Sequence, residues 1–216
     1  MKLFNLLLAL TISVFFIANI ANAQSYKVQD GSKLMWTGNK VSGSHNGEIM
    51  IKSGNLVKEG EKMTGDFTVD MTSINCLDLE GDYKGKLEGH LASADFFNVE
   101  EHKTATFEIT KVRPVRTMEE GNTTHKVTGN LTIKGITNEI EFPASIKFDG
   151  DKFMADAAFD IDRTKWDVKY GSGGFFDGLG DKMIYDDIEF ELSLVGAKAK
   201  MMNKNSSMPT TAPSKK

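Results

Sequence analysis

The sequence predicts an all-β fold in which antiparallel strands enclose an apolar interior, as a barrel or a sandwich, with one short helix. Three observations lead there. Apolar and polar residues alternate in segment after segment; between Thr104 and Lys111, Ala105, Phe107 and Ile109 share one face while Thr104, Thr106, Glu108 and Thr110 share the other. Successive side chains of a strand point to opposite faces, so each such segment has one buried and one wet face. The connections are mostly short and rich in Gly, Asn and Asp, which favours antiparallel neighbours in chain order. Only one stretch carries apolar residues at helical spacing.

Residues 1–23 read as an export leader: Lys2 precedes the mostly apolar run Leu3 to Ile20, and Ala21-Asn22-Ala23 supplies small residues at the cleavage positions. The expected products are a mature chain starting at Gln24 and a periplasmic or secreted location. Residues 24–196 suit a single domain. Eight strands are expected there, the first three near 33–40, 47–57 and 62–72, the next near 104–113 and 125–134, and the last near 138–148, 152–163 and 185–195. Turn residues punctuate them at Ser53-Gly54-Asn55, Lys58-Glu59-Gly60, Glu120-Gly121-Asn122, Lys134-Gly135 and Asp149-Gly150. The helix is expected near 83–94, where Leu87 and Leu91 sit one turn apart and Phe96-Phe97 follow, placing it across one end of a barrel. Residues 197–216 lack apolar periodicity and read as a disordered tail.

The bulk numbers exclude several classes of function. The formal net charge is −4, and it becomes one unit more negative once Lys2 leaves with the leader, so nucleic acid is not an expected partner. A single cysteine, Cys76, rules out an internal disulfide and reads as a buried inert thiol. His45, His90, His102 and His125 are scattered, with no pair at metal-ligand spacing, and neither a metal nor a cofactor is expected. The glycines at 171, 173 and 174 mark an irregular loop rather than a phosphate cradle, because no Lys-Ser/Thr pair follows them.

Alternation assigns an inward face. The positions expected to line a cavity are Phe67, Val69, Met71, Ala105, Phe107, Ile109, Leu131, Ile133, Phe142, Ala144, Ala155, Ala157, Phe159, Phe190 and Leu192, and none of them is titratable. Acid, base or nucleophilic chemistry needs titratable groups that converge, so no catalytic residue is assigned. An eight-stranded barrel is either filled by its own side chains or holds one small ligand. The small residues at Ala105, Gly129, Ala144, Ala155 and Ala157 leave room for a ligand, or else they offset the taper of a solid core. At the rim, Asp162 and Arg163 are expected to pair, with the Arg163 guanidinium over the Trp166 indole. His90 and Arg163 are also the candidates for contact with a ligand head group.

The stretch GHLASADFFNVEEHKTATFEI at 89–109, together with VTGNLTIKGITNEIEF at 127–142 and IDRTKWDVKYG at 161–171, resembles the YceI family of exported, lipocalin-like, polyisoprenoid-binding proteins. The resemblance runs over nearly all of 26–195. It departs from many members at KVSGSHNG (40–47), where they carry a differently spaced histidine segment. It implies an extended eight-stranded antiparallel barrel whose apolar cavity holds a long isoprenoid or acyl chain, an isoprenoid quinone among them. It also implies an envelope setting in which transient contact with a membrane is expected. It carries over no catalytic residues and does not fix the oligomeric state. Two rivals stay open: an enzyme acting on a lipid head group at the rim, and a solid-cored interaction module.

Overall fold

The computed structural model describes residues 23–115 and 123–199, and shows one sheet closed on itself as an antiparallel barrel. Its strands are β1 (Gln24–Val28), β2 (Lys33–Lys40), β3 (Gly43–Ile49), β4 (Ile51–Glu59), β5 (Lys62–Asp70), β6 (Asn75–Cys76), β7 (Thr104–Pro114), β8 (His125–Ile133), β9 (Ile136–Asp149), β10 (Lys152–Asp162) and β11 (Ile184–Lys198); the helix is α1 (Gly81–Ala92). These fill eight barrel positions. β1 and β2 lie end to end along one edge of the long β11, with Val28 opposite Gly196 and Leu34 opposite Leu192. β3 and β4 likewise continue one another, pairing with β2 and β1. The order β1-β4-β5-β7-β8-β9-β10-β11 then returns to β1 and closes the barrel.

Both long excursions, 71–103 and 163–183, emerge at one end of the barrel, hereafter the helix end. There the Asp70 carboxylate accepts hydrogen bonds from the Thr72 N–H (3.0 Å) and hydroxyl (2.6 Å), which stops β5 and starts a short 3-10 turn. The strand expected to reach Thr72 therefore ends at Asp70. The helix starts two residues earlier than expected and ends at Ala92, where the Ser93 hydroxyl donates to the His90 carbonyl (2.7 Å). β1 was not expected, since its five residues carry only Tyr26 and Val28 as apolar signal. β11 runs through Ala197 and Lys198, residues assigned to the tail, because their partners Lys27 and Tyr26 lie on that unexpected strand. The leader, the Glu120-Gly121-Asn122 turn and most of the tail lie outside the described residues.

Two bulges reset the alternation. Ser53-Gly54-Asn55 is not a turn but part of β4, where the register shifts between Ile51 and Ser53. Ile51 faces in, two residues are then spent on the outside, and Gly54 and Leu56 face in again. β7 does the same between Ile109 and Lys111, which turns Val112 inward. β9 and β10 pair only over Ser145–Asp149 and Lys152–Asp156. Continuing the register would set Pro143 opposite Ala158, and proline has no N–H to donate to the ladder. Beyond that point Phe142 and Phe159 carry the contact, with rings stacked at 4.3 Å and 16°.

Aromatic rings inside the barrel lie against glycines of the neighbouring strand. Trp36 faces Gly47, Phe67 faces Gly54 and Phe153 faces Gly196, each pair directly across a ladder. A Cβ added at Gly196 would stand 1.8 Å from Phe153 Cε1, and one at Gly47 would stand 2.5 Å from Trp36 Cζ2. Gly196→Ala must therefore drive the fully buried Phe153 ring off its site. The expected loss is about 1–3 kcal/mol, the usual range for overpacking a tight core, and it is read from urea denaturation midpoints of wild type and variant.

Candidate functional site: the barrel interior

The interior splits into two apolar compartments. One of about 140 Å³ lies at the helix end and one of about 130 Å³ in the opposite half. Leu34, Val69, Leu131 and Phe159 belong to both linings and form the partition. A row of rings crosses the barrel at this level, with Phe107 to Phe142 at 5.6 Å, Phe142 to Phe159 at 4.3 Å and Phe159 to Phe190 at 5.7 Å. Apolar cavities near 150 Å³ stay dry and accept a benzene-sized group, so each compartment matches about one such group.

The positions nominated by alternation fall as follows. Phe67, Phe107, Ile109, Phe142, Ala144, Ala155 and Leu192 line the far compartment. Met71, Ala105, Ile133 and Phe190 line the helix-end compartment, and Val69, Leu131 and Phe159 face both. Ala157 packs against the far cluster without lining either space. Gly129 does not leave the room expected of it, because the Phe107 ring sits 2.4 Å from where its Cβ would be. Sequence reasoning missed Leu34 and Trp36 on β2, whose spacing of two within an expected strand was the available signal. Ile74 also escapes alternation, while Leu91, Phe96 and Phe97 reach the lining from the helix expected across this end and from the residues after it.

That excursion is held by polar contacts. Glu88 on α1 accepts the Cys76 N–H (2.9 Å), and Lys84 donates to Asn75 Oδ1 (2.7 Å), so one face of the helix is tied to β6. Asp78 accepts from the Asn46 N–H (2.9 Å) and the Cys76 thiol (3.2 Å) through one oxygen, and contacts His45 Nδ1 (2.8 Å) through the other. Burial works to raise the Asp78 carboxyl, but the bonds from Asn46, His45 and Cys76 outweigh it and hold the group at about 2. The Cys76 thiol is fully buried, and burial together with Asp78 pushes it up, which makes it a poor nucleophile at neutral pH. Among the described residues no cluster of three or more His, Cys, Asp or Glu is placed to hold a metal ion.

Arg163 departs from the expected pairing. It follows β10 in a short 3-10 turn that Asp162 caps, accepting from the Thr164 N–H at 3.0 Å and hydroxyl at 2.6 Å, so the Asp162 carboxylate is spent on the turn. The guanidinium is 1% exposed and donates to three carbonyls, Val168 (2.6 Å), Tyr185 (3.1 Å) and Ile184 (3.2 Å), and to Asp186 Oδ1 (3.3 Å). Burial pulls its pKa below the ordinary arginine value, and the carboxylates of Asp186 and Asp162 oppose this. It lies over the Phe96 ring at 5.5 Å, not over Trp166, whose Nε1–H instead donates to the Leu131 carbonyl (3.0 Å). His90 packs between Phe96 (5.6 Å) and Tyr170 (4.5 Å), and it is absent from both linings. Arg163 reaches the helix-end lining, whereas His90 stands behind Phe96.

A closed antiparallel barrel with an apolar lumen and a helix at one end defines the lipocalin-like class of small β-barrels. A YceI-like domain matches residues 24–196, and the chain belongs to that family. The UPF0312 protein of Serratia proteamaculans is 28% identical over 145 residues, covering 66% of this chain and 67% of that protein. The UPF0312 protein of Ectopseudomonas mendocina is 44% identical over 62 residues, a stretch that spans only 29% of each chain. Among solved structures, BcnA of Burkholderia cenocepacia superposes with a TM-score of 0.61 at 22% identity, covering 78% of this chain and 98% of that one. A polyisoprenoid binding domain from Saccharophagus degradans, implicated in plant cell wall breakdown, superposes with a TM-score of 0.59 at 13% identity, covering 81% and 98%. At these identities the two superpositions establish the fold.

Asp78 has a depressed folded pKa, so its contribution is complete above the unfolded carboxyl value near 4 and fades as pH falls toward about 2. Asp78→Asn is expected to lower stability at neutral pH by about 1 kcal/mol, allowing for solvent screening, with the gap to wild type closing by about pH 2 in urea titrations. Some slope will persist in the variant, because Lys126, Thr128 and Arg113 also hold the Glu141 carboxyl at about 2. Arg163→Lys keeps the charge but lacks the planar fork that serves three carbonyls on two segments at once, so it should cost about 2 kcal/mol, with calorimetry as the check.

Proposed function

We propose that this protein binds a long-chain lipid, an isoprenoid or a related acyl or quinone-bearing chain, inside the barrel and carries or sequesters it in the cell envelope. The observation that carries this reading is the lumen itself: two adjoining apolar compartments that share Leu34, Val69, Leu131 and Phe159, with Arg163 and Tyr185 the only ionisable residues on either lining among the described residues. Each buried methylene contributes about 0.8 kcal/mol, so a chain threading both compartments is retained without any hydrogen bond. A long chain must displace the Phe159 partition, since each compartment alone takes only a benzene-sized group. The polyisoprenoid binding noted for the Saccharophagus domain supports the same ligand class. The leader read from residues 1–23 supports the envelope setting.

The lumen also supports binding over catalysis. Arg163 spends its donors on backbone carbonyls and Asp186, and Cys76 is buried beside Asp78, outside both linings. One polar feature suits a neutral head group. Trp36 lines the helix-end compartment, and its Nε1–H is buried without a hydrogen-bond partner among the described residues. A buried unsatisfied donor costs about 1–3 kcal/mol, which a carbonyl or ether oxygen of the ligand would recover. The head group is therefore assigned to the helix end and the tail to the far half.

Mass spectrometry of an organic extract from protein purified without detergent is the test. A stoichiometric isoprenoid, quinone or fatty acyl species is expected, and a clean extract from folded protein would overturn the reading. Phe107→Glu places a carboxylate in the apolar far compartment and should reduce retained lipid at least about tenfold while circular dichroism stays native.

A further inference from the structure

The 163–183 excursion carries a surface that lipid binding inside the barrel does not explain. Phe175 and Phe176 are 52% and 50% exposed, and Tyr170 and Tyr185, on segments beside them, are 47% and 49% exposed. These rings are not on a loosely tethered loop. Ser172 is fully buried, its carbonyl accepts the N–H groups of both Phe175 (3.2 Å) and Phe176 (3.1 Å), and its hydroxyl accepts the Gly174 N–H (3.2 Å). Ser172 also bridges to Ile184, and a Cβ at Gly173 would lie 2.6 Å from Met183 Sδ, so the turn is seated on the start of β11. Below it, Arg163 binds the carbonyls of Val168, Ile184 and Tyr185. The fold thus fixes a turn whose tip presents two phenyl rings outward, one of them under the Lys169 ammonium at 4.9 Å.

We propose that this turn is a docking surface for a lipid bilayer, with Phe175 and Phe176 entering the interfacial zone and Tyr170 and Tyr185 lying at head-group level. Three observations select a bilayer as the occupant. Phenyl rings at a tip flanked by tyrosines match a membrane interface, where amphipathic rings are favoured, and the charges beside them, Lys169 paired with Asp167 at 2.7 Å and Asp177 after Phe176, suit zwitterionic head groups. The surface is continuous with the cavity, because Tyr185 is half exposed and also lines the helix-end compartment together with Ile184. The contact is small and prebuilt, as suits reversible association rather than insertion. The inference rests on the lipid-binding reading only for its purpose, since docking would set the mouth of the cavity against the source of its ligand.

The experiment is flotation of the protein with phosphatidylcholine vesicles, with and without phosphatidylglycerol, comparing wild type with the Phe175→Ser, Phe176→Ser double variant. Both proteins carry the same N-terminus, so any difference belongs to the turn. Wild type should float and the double variant should partition at least about tenfold less, while Met154→Ser, an exposed apolar change on β10, should float like wild type. Phe176→Trp, read with brominated lipids, should show quenching of a new emission component. Equal flotation of wild type and double variant, or flotation of neither, overturns the proposal. So does a concentration-dependent dimer in sedimentation velocity that the double variant abolishes without any vesicle binding, which would make the turn a self-association surface. Lipid extraction of the same samples separates the two readings: a clean extract from protein that still floats leaves docking standing and removes the carrier function.

Discussion

The structure depends on fitting large rings into a narrow lumen. An eight-stranded barrel is just wide enough for its inward side chains to fill it, yet Trp36, Phe67, Phe107, Phe142, Phe153, Phe159 and Phe190 all point inward here. Glycine at Gly47, Gly54 and Gly196 admits three of these rings against the wall, and Gly129 admits Phe107. Rings flattened in this way occupy volume at the wall and leave the axis partly open. Where rings instead meet each other, along Phe107, Phe142, Phe159 and Phe190, the lumen is partitioned. The same pairing thus sets the wall, the free volume and its division into two.

The row of rings also bridges the weakest part of the wall. β9 and β10 lose their backbone ladder where Pro143 would have to donate, and the stacked pair Phe142–Phe159 replaces it. A ladder resists separation through hydrogen bonds in fixed register, whereas a stacked pair contributes about 0.5–1.5 kcal/mol beyond its buried area and fixes no register. Phe159 therefore serves in two places, as part of the wall and as part of the partition.

Much of this was legible in the sequence, and the limits have physical causes. Alternation located most of the strands, and every nominated position on β5 and on β7 to β11 except Ala157 lines a compartment, because a period of two survives wherever one face is wet. It failed at Ser53-Gly54-Asn55, where turn-like composition marked a bulge instead, and at β1, which is too short to show a period. Gly129 looked like empty space because a sequence does not reveal which ring lies over a glycine. The helix end was the least readable. Phe96 and Phe97 reach the cavity through irregular chain after α1, and Arg163 pairs with three carbonyls and Asp186 rather than its sequence neighbour because Asp162 is consumed as a cap.

Arg163 is where these threads meet. A buried guanidinium is costly unless each donor finds a partner, and its partners here are the carbonyls of the segment after β10 and of the start of β11. Satisfying the charge therefore fixes the two segments that hold the Phe175–Phe176 turn and that supply Ile184 and Tyr185 to the cavity wall. Its ring partner Phe96 continues inward to Phe97 and outward through His90 to Tyr170, so cavity and surface share one packed aromatic chain. An anionic ligand group could use this cation only by displacing carbonyls that it already serves. A neutral head group near Trp36 faces no such competition, which is why the proposed reading places the tail by area, the head by one indole N–H, and leaves the buried charge to the architecture.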